Sequence, residues 1–200
     1  MNESHLQFLS SPEWAAMLHT DLLPWIESVG DLGDDVLEVG PGPGLTTDLL
    51  RRRVPRLTAV ELDATLAHPL RARLRGTNVD VVCTDATRSG LGTDRFSAAT
   101  CFSMLHHMPT PAHQDALFAE LNRVLRPGAL FVGTDSIDVD VIRAAHMDDV
   151  FVPVGPETLA GRLAAAGFVN TEVDVRDYQF RFVTRTPVRD QLGSAESESG

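Results

Sequence analysis

The chain has no lysine, a single tyrosine (Tyr178), two cysteines and two tryptophans in 200 residues. Without lysine there is no Tyr-x-x-x-Lys pair, which argues against one common form of nicotinamide-dependent oxidoreductase. Cys83 and Cys101 each fall in an apolar, strand-like run and read as two buried free thiols of a reducing compartment, neither a disulfide nor a metal site. No apolar run reaches the roughly 20 residues that span a bilayer. The opening MNESHLQFLSSPEW lacks a basic n-region and a cleavable apolar stretch, so no signal peptide is read and a cytoplasmic location is expected. Basic residues are also scarce, 17 against 28 acidic ones, for a net charge of -11. A dedicated nucleic-acid binder needs a basic surface to neutralise phosphates. The arginine run 51–53 reads only as a solvated helix face.

Hydrophobic residues make up 43% of the chain, enough for one domain with a full core. Short apolar strands alternate with amphipathic helices. Strands are expected over 36–39, 57–62, 79–83, 96–105 and 129–133, and helices over 46–53, 64–75 and 111–125. That alternation describes a parallel sheet covered on both faces, doubly wound by right-handed crossovers. A helix over 156–166 precedes two runs, 168–175 and 178–184, separated by a short turn that makes them an antiparallel hairpin. The fold class is therefore α/β: a Rossmann-like doubly wound seven-stranded sheet, mostly parallel with a C-terminal antiparallel hairpin. Ser11 and Pro12 open an N-terminal helix that Pro24 kinks or restarts. Domain organisation reads as an N-terminal helical cap over 1–34, a ligand-binding domain over 35–186 and a disordered tail over 187–200.

The stretch VLEVGPGPG at 36–44 is a strand running into a glycine-rich loop, where backbone can approach a ligand without a Cβ in the way. A dinucleotide site prefers G-x-G-x-x-G, but Leu45 stands where its third glycine would be. Glu61 ends the second strand, where a carboxylate can accept both hydroxyls of a ribose. Asp85 and Ala86 end the third, where an acid and the next backbone N–H suit an adenine edge. Three successive strand ends thus offer groups to one adenosine.

With these residues the sequence resembles the class I S-adenosylmethionine-dependent methyltransferases, in the type 11-like group with small-molecule acceptors. VLEVGPGPG is similar to their first motif, AVEL to their second-strand acid and CTDAT to their Asp-Ala. CFSMLHHM and LNRVLRPGALFVG are similar to their fourth strand and their turn into the fifth, with Ser97 and Ala129 departing from the common pattern. The resemblance implies S-adenosyl-L-methionine as cofactor. Glu38 and the loop Gly40, Pro41, Gly42 and Gly44 would hold its methionine end, Glu61 with Leu62 the ribose, Asp85 and Ala86 the adenine, and Phe102 would lie beside it. Direct in-line methyl transfer to a small molecule is the expected activity. The alternatives are a nicotinamide-dependent Rossmann oxidoreductase and a protein that binds S-adenosylmethionine without turnover.

Glu38 lies inside an apolar strand and reads equally as a structural salt bridge or a cofactor contact. His106 and His107 follow the fourth strand where an acceptor would lie and are the candidate catalytic bases; packing and loop ordering are the competing role. His146, Asp148 and Asp149 cluster within 137–153 and with His106 and His107 could make a metal site, but no spacing strongly supports one; the stretch reads as a polar lid and no metal is expected. Trp14, Met17 and Trp25 read as core, or as one wall of a pocket. The expected partners are a small-molecule acceptor and a second copy in a homodimer, with no nucleic acid and no membrane.

Overall fold

The strand sequences alternate faces, and the two faces are covered differently. Val36, Leu130 and Val132 pack with Leu18, Leu22 and Ile26. Their neighbours Leu37, Val39 and Phe131 turn the other way, into a cluster with Phe118, Leu121, Leu163 and Phe182. Such period-two partition is what buries both faces of a central strand. The computed structural model describes residues 6–188 except residue 8. Of the tail expected over 187–200, all but Pro187 and Val188 lies outside the described residues.

Seven strands form one sheet: β1 (Asp35–Val39), β2 (Arg56–Glu61), β3 (Val79–Cys83), β4 (Phe96–Phe102), β5 (Leu125–Ser136), β6 (Val169–Val175) and β7 (Gln179–Arg185), in the spatial order β3-β2-β1-β4-β5-β7-β6. The first five run parallel, and β7 is antiparallel to both β5 and β6. Chain direction across the sheet reverses between β1 and β4. That is the topological switch point, where open α/β sheets leave a crevice at the strand carboxyl ends.

Helices α1 (Pro12–Met17), α2 (Leu23–Val29) and α3 (Leu45–Leu50) cover one face. α4 (Ala64–Arg73), α5 (Pro111–Val124), α6 (Asp140–Ala145) and α7 (Pro156–Ala165) follow along the chain. The starts follow local chemistry. Ser11 Oγ accepts the Trp14 N–H at 3.1 Å with Pro12 in the first turn, and Asp63 Oδ1 accepts the Thr65 N–H at 2.8 Å. A π turn, Leu18–Leu22, joins α1 to α2. Pro24 then restarts the helix in the first turn of α2, where its missing N–H is no loss.

Several expected boundaries and one burial change. β5 starts at Leu125, not 129: Leu125 pairs with Phe96 and Leu130 with Ala98, so Arg126–Ala129 bulges out, with Gly128 at φ +76°. β4 ends at Phe102, not 105, because Ser103 takes φ +51° and a 3-10 turn, Leu105–His107, follows. α3 ends at Leu50, not 53. Cys83 is half-buried, on the outermost strand β3; Cys101, at the sheet centre, is buried, and both are free thiols. No helix among the described residues is long and apolar enough to cross a membrane.

Candidate active site

The cavity at the switch point is about 420 Å³ and is walled by the ends of β1, β2, β3 and β4, within the size range of small-ligand sites. The loop after β1 turns because Gly40, Gly42 and Gly44 all take positive φ, at +68°, +55° and +89°. Their reasons differ. A Cβ on Gly40 would lie 2.3 Å from Met104 Cγ, and one on Gly44 2.3 Å from Leu70 Cδ1. Gly42 meets nothing within 4 Å and lines the cavity. Two glycines therefore let the loop sit down on its neighbours, and the third keeps an approach open to a ligand.

Glu61 links this loop to β2. Its Oε2 accepts the Gly42 N–H at 3.1 Å and its Oε1 the Asp63 N–H at 2.9 Å, and the carboxylate is buried. An ionised carboxylate has about four acceptor positions, so two remain after these bonds. A ribose diol needs two acceptors of this kind, on a wall of the same cavity. Asp85 follows the adjacent strand β3, beside Glu61. Its Oδ1 accepts the Thr87 N–H and hydroxyl, both at 2.8 Å, capping the turn Ala86–Arg88. Its second oxygen is not used by that cap, and Ala86 lines the cavity beside it.

Gly40, Pro41, Gly42, Glu61, Leu62, Asp85, Ala86 and Phe102 all line this cavity. Gly44 and Glu38 stand behind the wall, Gly44 as the residue that caps α3. Glu38 is buried and makes no salt bridge among the described residues: its Oε1 accepts the Thr46 hydroxyl. Burial pushes its pKa from the ordinary 4.5 to about 7, against the pull of the Thr46 hydrogen bond.

A second cavity of about 510 Å³ adjoins the first, sharing Leu9, Trp14 and Ser103 with it. Its far walls carry Met17, Ile142, His146 and Tyr178. Trp14 and Met17 thus line a pocket, whereas Trp25 lies under the Arg181 guanidinium, 5.1 Å away, and packs on the sheet. His106 and His107 point to different cavities. His107 lines the first and His106 the second. His106 is buried, its N–H and its Nδ1 both directed to the Asp135 carboxylate. Its Nε2 is 3.1 Å from His146 Nε2. Spacing along the chain showed no sign that His146 meets the pair at 106–107. Asp135 and Ser103 were also overlooked, although both stand at strand carboxyl ends, the signal that had picked out Glu61 and Asp85.

Comparison with known proteins agrees with this geometry. Residues 37–133 match the family described as "Methyltransferase domain". A ribosomal RNA small subunit methyltransferase A of Koribacter versatilis is 44% identical over 70 residues, 34% of this chain and 25% of that one. A ubiquinone biosynthesis O-methyltransferase of Xanthomonas oryzae is 34% identical over 108 residues, 51% of this chain and 43% of that one. The chain spans from about a quarter to just under half of the length of such relatives. Among solved structures, an S-adenosylmethionine-dependent methyltransferase from Aquifex aeolicus superposes with a TM-score of 0.71 at 20% identity, covering 92% of this chain and 98% of that one, which is a likeness of fold. The glycine loop, Glu61 and Asp85 all lie within residues 37–133, the stretch that is similar to the methyltransferase-domain family.

Proposed function

We propose that this protein transfers a methyl group from S-adenosylmethionine to a small-molecule acceptor by direct in-line displacement. The observation that carries the reading is the convergence of three strand ends on one cavity: the open side of Gly42, the spare acceptors of Glu61, and Asp85 with Ala86. When bound, S-adenosylmethionine supplies a methyl group on a positively charged sulfur, already activated for displacement. The chain's own task is then placement. Glu61 would hold the ribose and Asp85 with Ala86 the adenine, while Gly40, Pro41 and Gly42 give the methionine end a close backbone surface. Glu38 supports the loop from behind, through Thr46 at the start of α3.

The acceptor belongs in the second cavity, across Ser103 and Trp14 from the first. Its size suits a small molecule, and the net charge of -11 disfavours a polyanionic acceptor. Aligning nucleophile and methyl group lowers a barrier by about 7–11 kcal/mol, whereas a base contributes a factor of about 10²–10⁴.

Thermal unfolding with S-adenosylmethionine, S-adenosylhomocysteine and NADH tests the cofactor. At a hundredfold excess over Kd, the first two should each add about 2.7 kcal/mol, roughly 5–10 °C in a chain of this size. A shift with NADH alone would reject the reading. The acceptor class is checked by turnover on phenol and catechol panels against a ribosomal RNA fragment; methylation of the RNA alone rejects a small-molecule acceptor.

A further inference from the structure

Between the two cavities three imidazoles from separate parts of the chain come together. One ring nitrogen of each of His106, His107 and His146 lies within 4.8 Å of the others. His106 and His107 come from the turn after β4, and His146 from the residue that caps α6. We propose that these three histidines bind a divalent first-row metal ion of the zinc type, at the junction of the cofactor and acceptor cavities.

The hydrogen bonding supports this through the ring tautomers. Asp135 accepts from His106 Nδ1, and the Ile142 carbonyl oxygen lies 2.7 Å from His146 Nδ1. Neither partner can donate, so both rings carry their proton on Nδ1. With both rings neutral, their Nε2 lone pairs face each other across 3.1 Å, an arrangement that is repulsive unless a cation or a shared proton stands between them. Two nitrogens bound to zinc at about 2.0–2.1 Å in a tetrahedron are about 3.3–3.4 Å apart, close to the observed separation. The third ring also has a carboxylate near it: Asp149 Oδ2 is 3.8 Å from His107 Nδ1, at ion-pair range. A carboxylate or carbonyl behind each ligating imidazole is the usual support of a histidine metal site, where it fixes ring orientation and raises basicity.

Three imidazoles favour zinc, copper, iron or nickel over magnesium or calcium, which prefer oxygen. Three protein ligands leave a fourth position for water or an incoming oxygen. His106 and His146 line the second cavity, so that position would be reached from the acceptor side. The metal's role in holding an acceptor oxygen rests on the methyltransferase reading; binding of the metal itself does not.

The test uses the full chain after treatment with a chelator. Zn²⁺ is titrated by calorimetry, Co²⁺ by visible absorption, and S-adenosylhomocysteine on the same preparation. Wild type should take up one equivalent of either metal, with the intense visible bands of a low-symmetry cobalt site. His146→Ala should lose at least tenfold in metal affinity, and Asp135→Asn about 10–100-fold, while S-adenosylhomocysteine affinity holds in His146→Ala. His146→Gln replaces His146→Ala if the latter does not fold. No saturable uptake by wild type overturns the site, as a proton shared by His106 and His146 would give. Equal metal affinity in wild type and both variants overturns it too. Metal uptake without S-adenosylhomocysteine binding would instead reject the methyltransferase reading and leave the metal site standing.

Discussion

Two carboxylates in neighbouring strands are put to opposite uses by their surroundings. Glu61 is buried but receives two backbone N–H groups, so its charge is supported and its remaining acceptors face the cavity. Glu61→Ala should weaken S-adenosylmethionine binding at least tenfold, about 1.4 kcal/mol, read by calorimetry. It should also lower stability, because the Gly42 and Asp63 N–H groups lose their partner. Unchanged affinity would remove the ribose assignment. Glu38 has only threonine hydroxyls to support it, Thr46 foremost, and is pushed up to about 7. A carboxyl whose folded pKa lies above its unfolded value holds its proton more tightly when folded. Its stabilising effect is complete below about pH 4.5 and is lost as pH rises through 7. Glu38→Gln should therefore leave the Tm unchanged at pH 4 and raise it at pH 8, by up to about 3 kcal/mol of stability. A parallel fall of Tm with pH in both proteins would contradict this account.

At the scale of elements, the loop between β1 and α3 combines a packing device with a binding surface. Gly40→Ala would drive a Cβ into Met104 and force an unfavourable backbone angle, so a loss of about 1–3 kcal/mol is expected in urea unfolding. Gly42→Ala meets no neighbour, so its stability cost should be limited to the angle, about 1–2 kcal/mol. Its larger effect should be on S-adenosylmethionine affinity, since its Cβ would enter the ligand's approach. If Gly42→Ala bound the cofactor as wild type does, the close backbone approach would be wrong. The strand-to-loop alternation was legible in the residues from 36 to 102, because each strand end is punctuated by a glycine, an acid or a cap. The start of β5 was not. Pro127-Gly128 has the composition of a turn, and only pairing of Leu125 with Phe96 shows that the strand begins before it.

Over the whole molecule, the N-terminal helices are bound to the distant end of the sheet by one buried cation. Arg181 on β7 is buried, stacks on Trp25 and bonds to Asp21 in the π turn. Burial lowers the Arg181 pKa, and Asp21 opposes that shift. Asp21→Ala leaves the guanidinium without its counter-charge and should cost about 1–3 kcal/mol. It should also speed proteolysis within the helices over 12–29, which carry Trp14 and Met17 into the second cavity. Cleavage at the wild-type rate would show that apolar packing alone holds these helices.

Local rules account for what could be read along the chain. Side-chain period, caps and positive-φ glycines act over a few residues, so the strand–helix order, the glycine loop and the strand-end acids Glu61 and Asp85 were visible without coordinates. Folding supplied what depends on residues far apart in sequence. The sheet order puts β4 beside β5 and so brings Asp135 to His106, and the segment after β5 returns His146 to the same point. Trp14 reaches the boundary of two cavities because its helix packs across the sheet. Neither meeting leaves a mark in spacing or composition, since the contacts are chosen by burial of the sheet's two faces and not by neighbours in the chain.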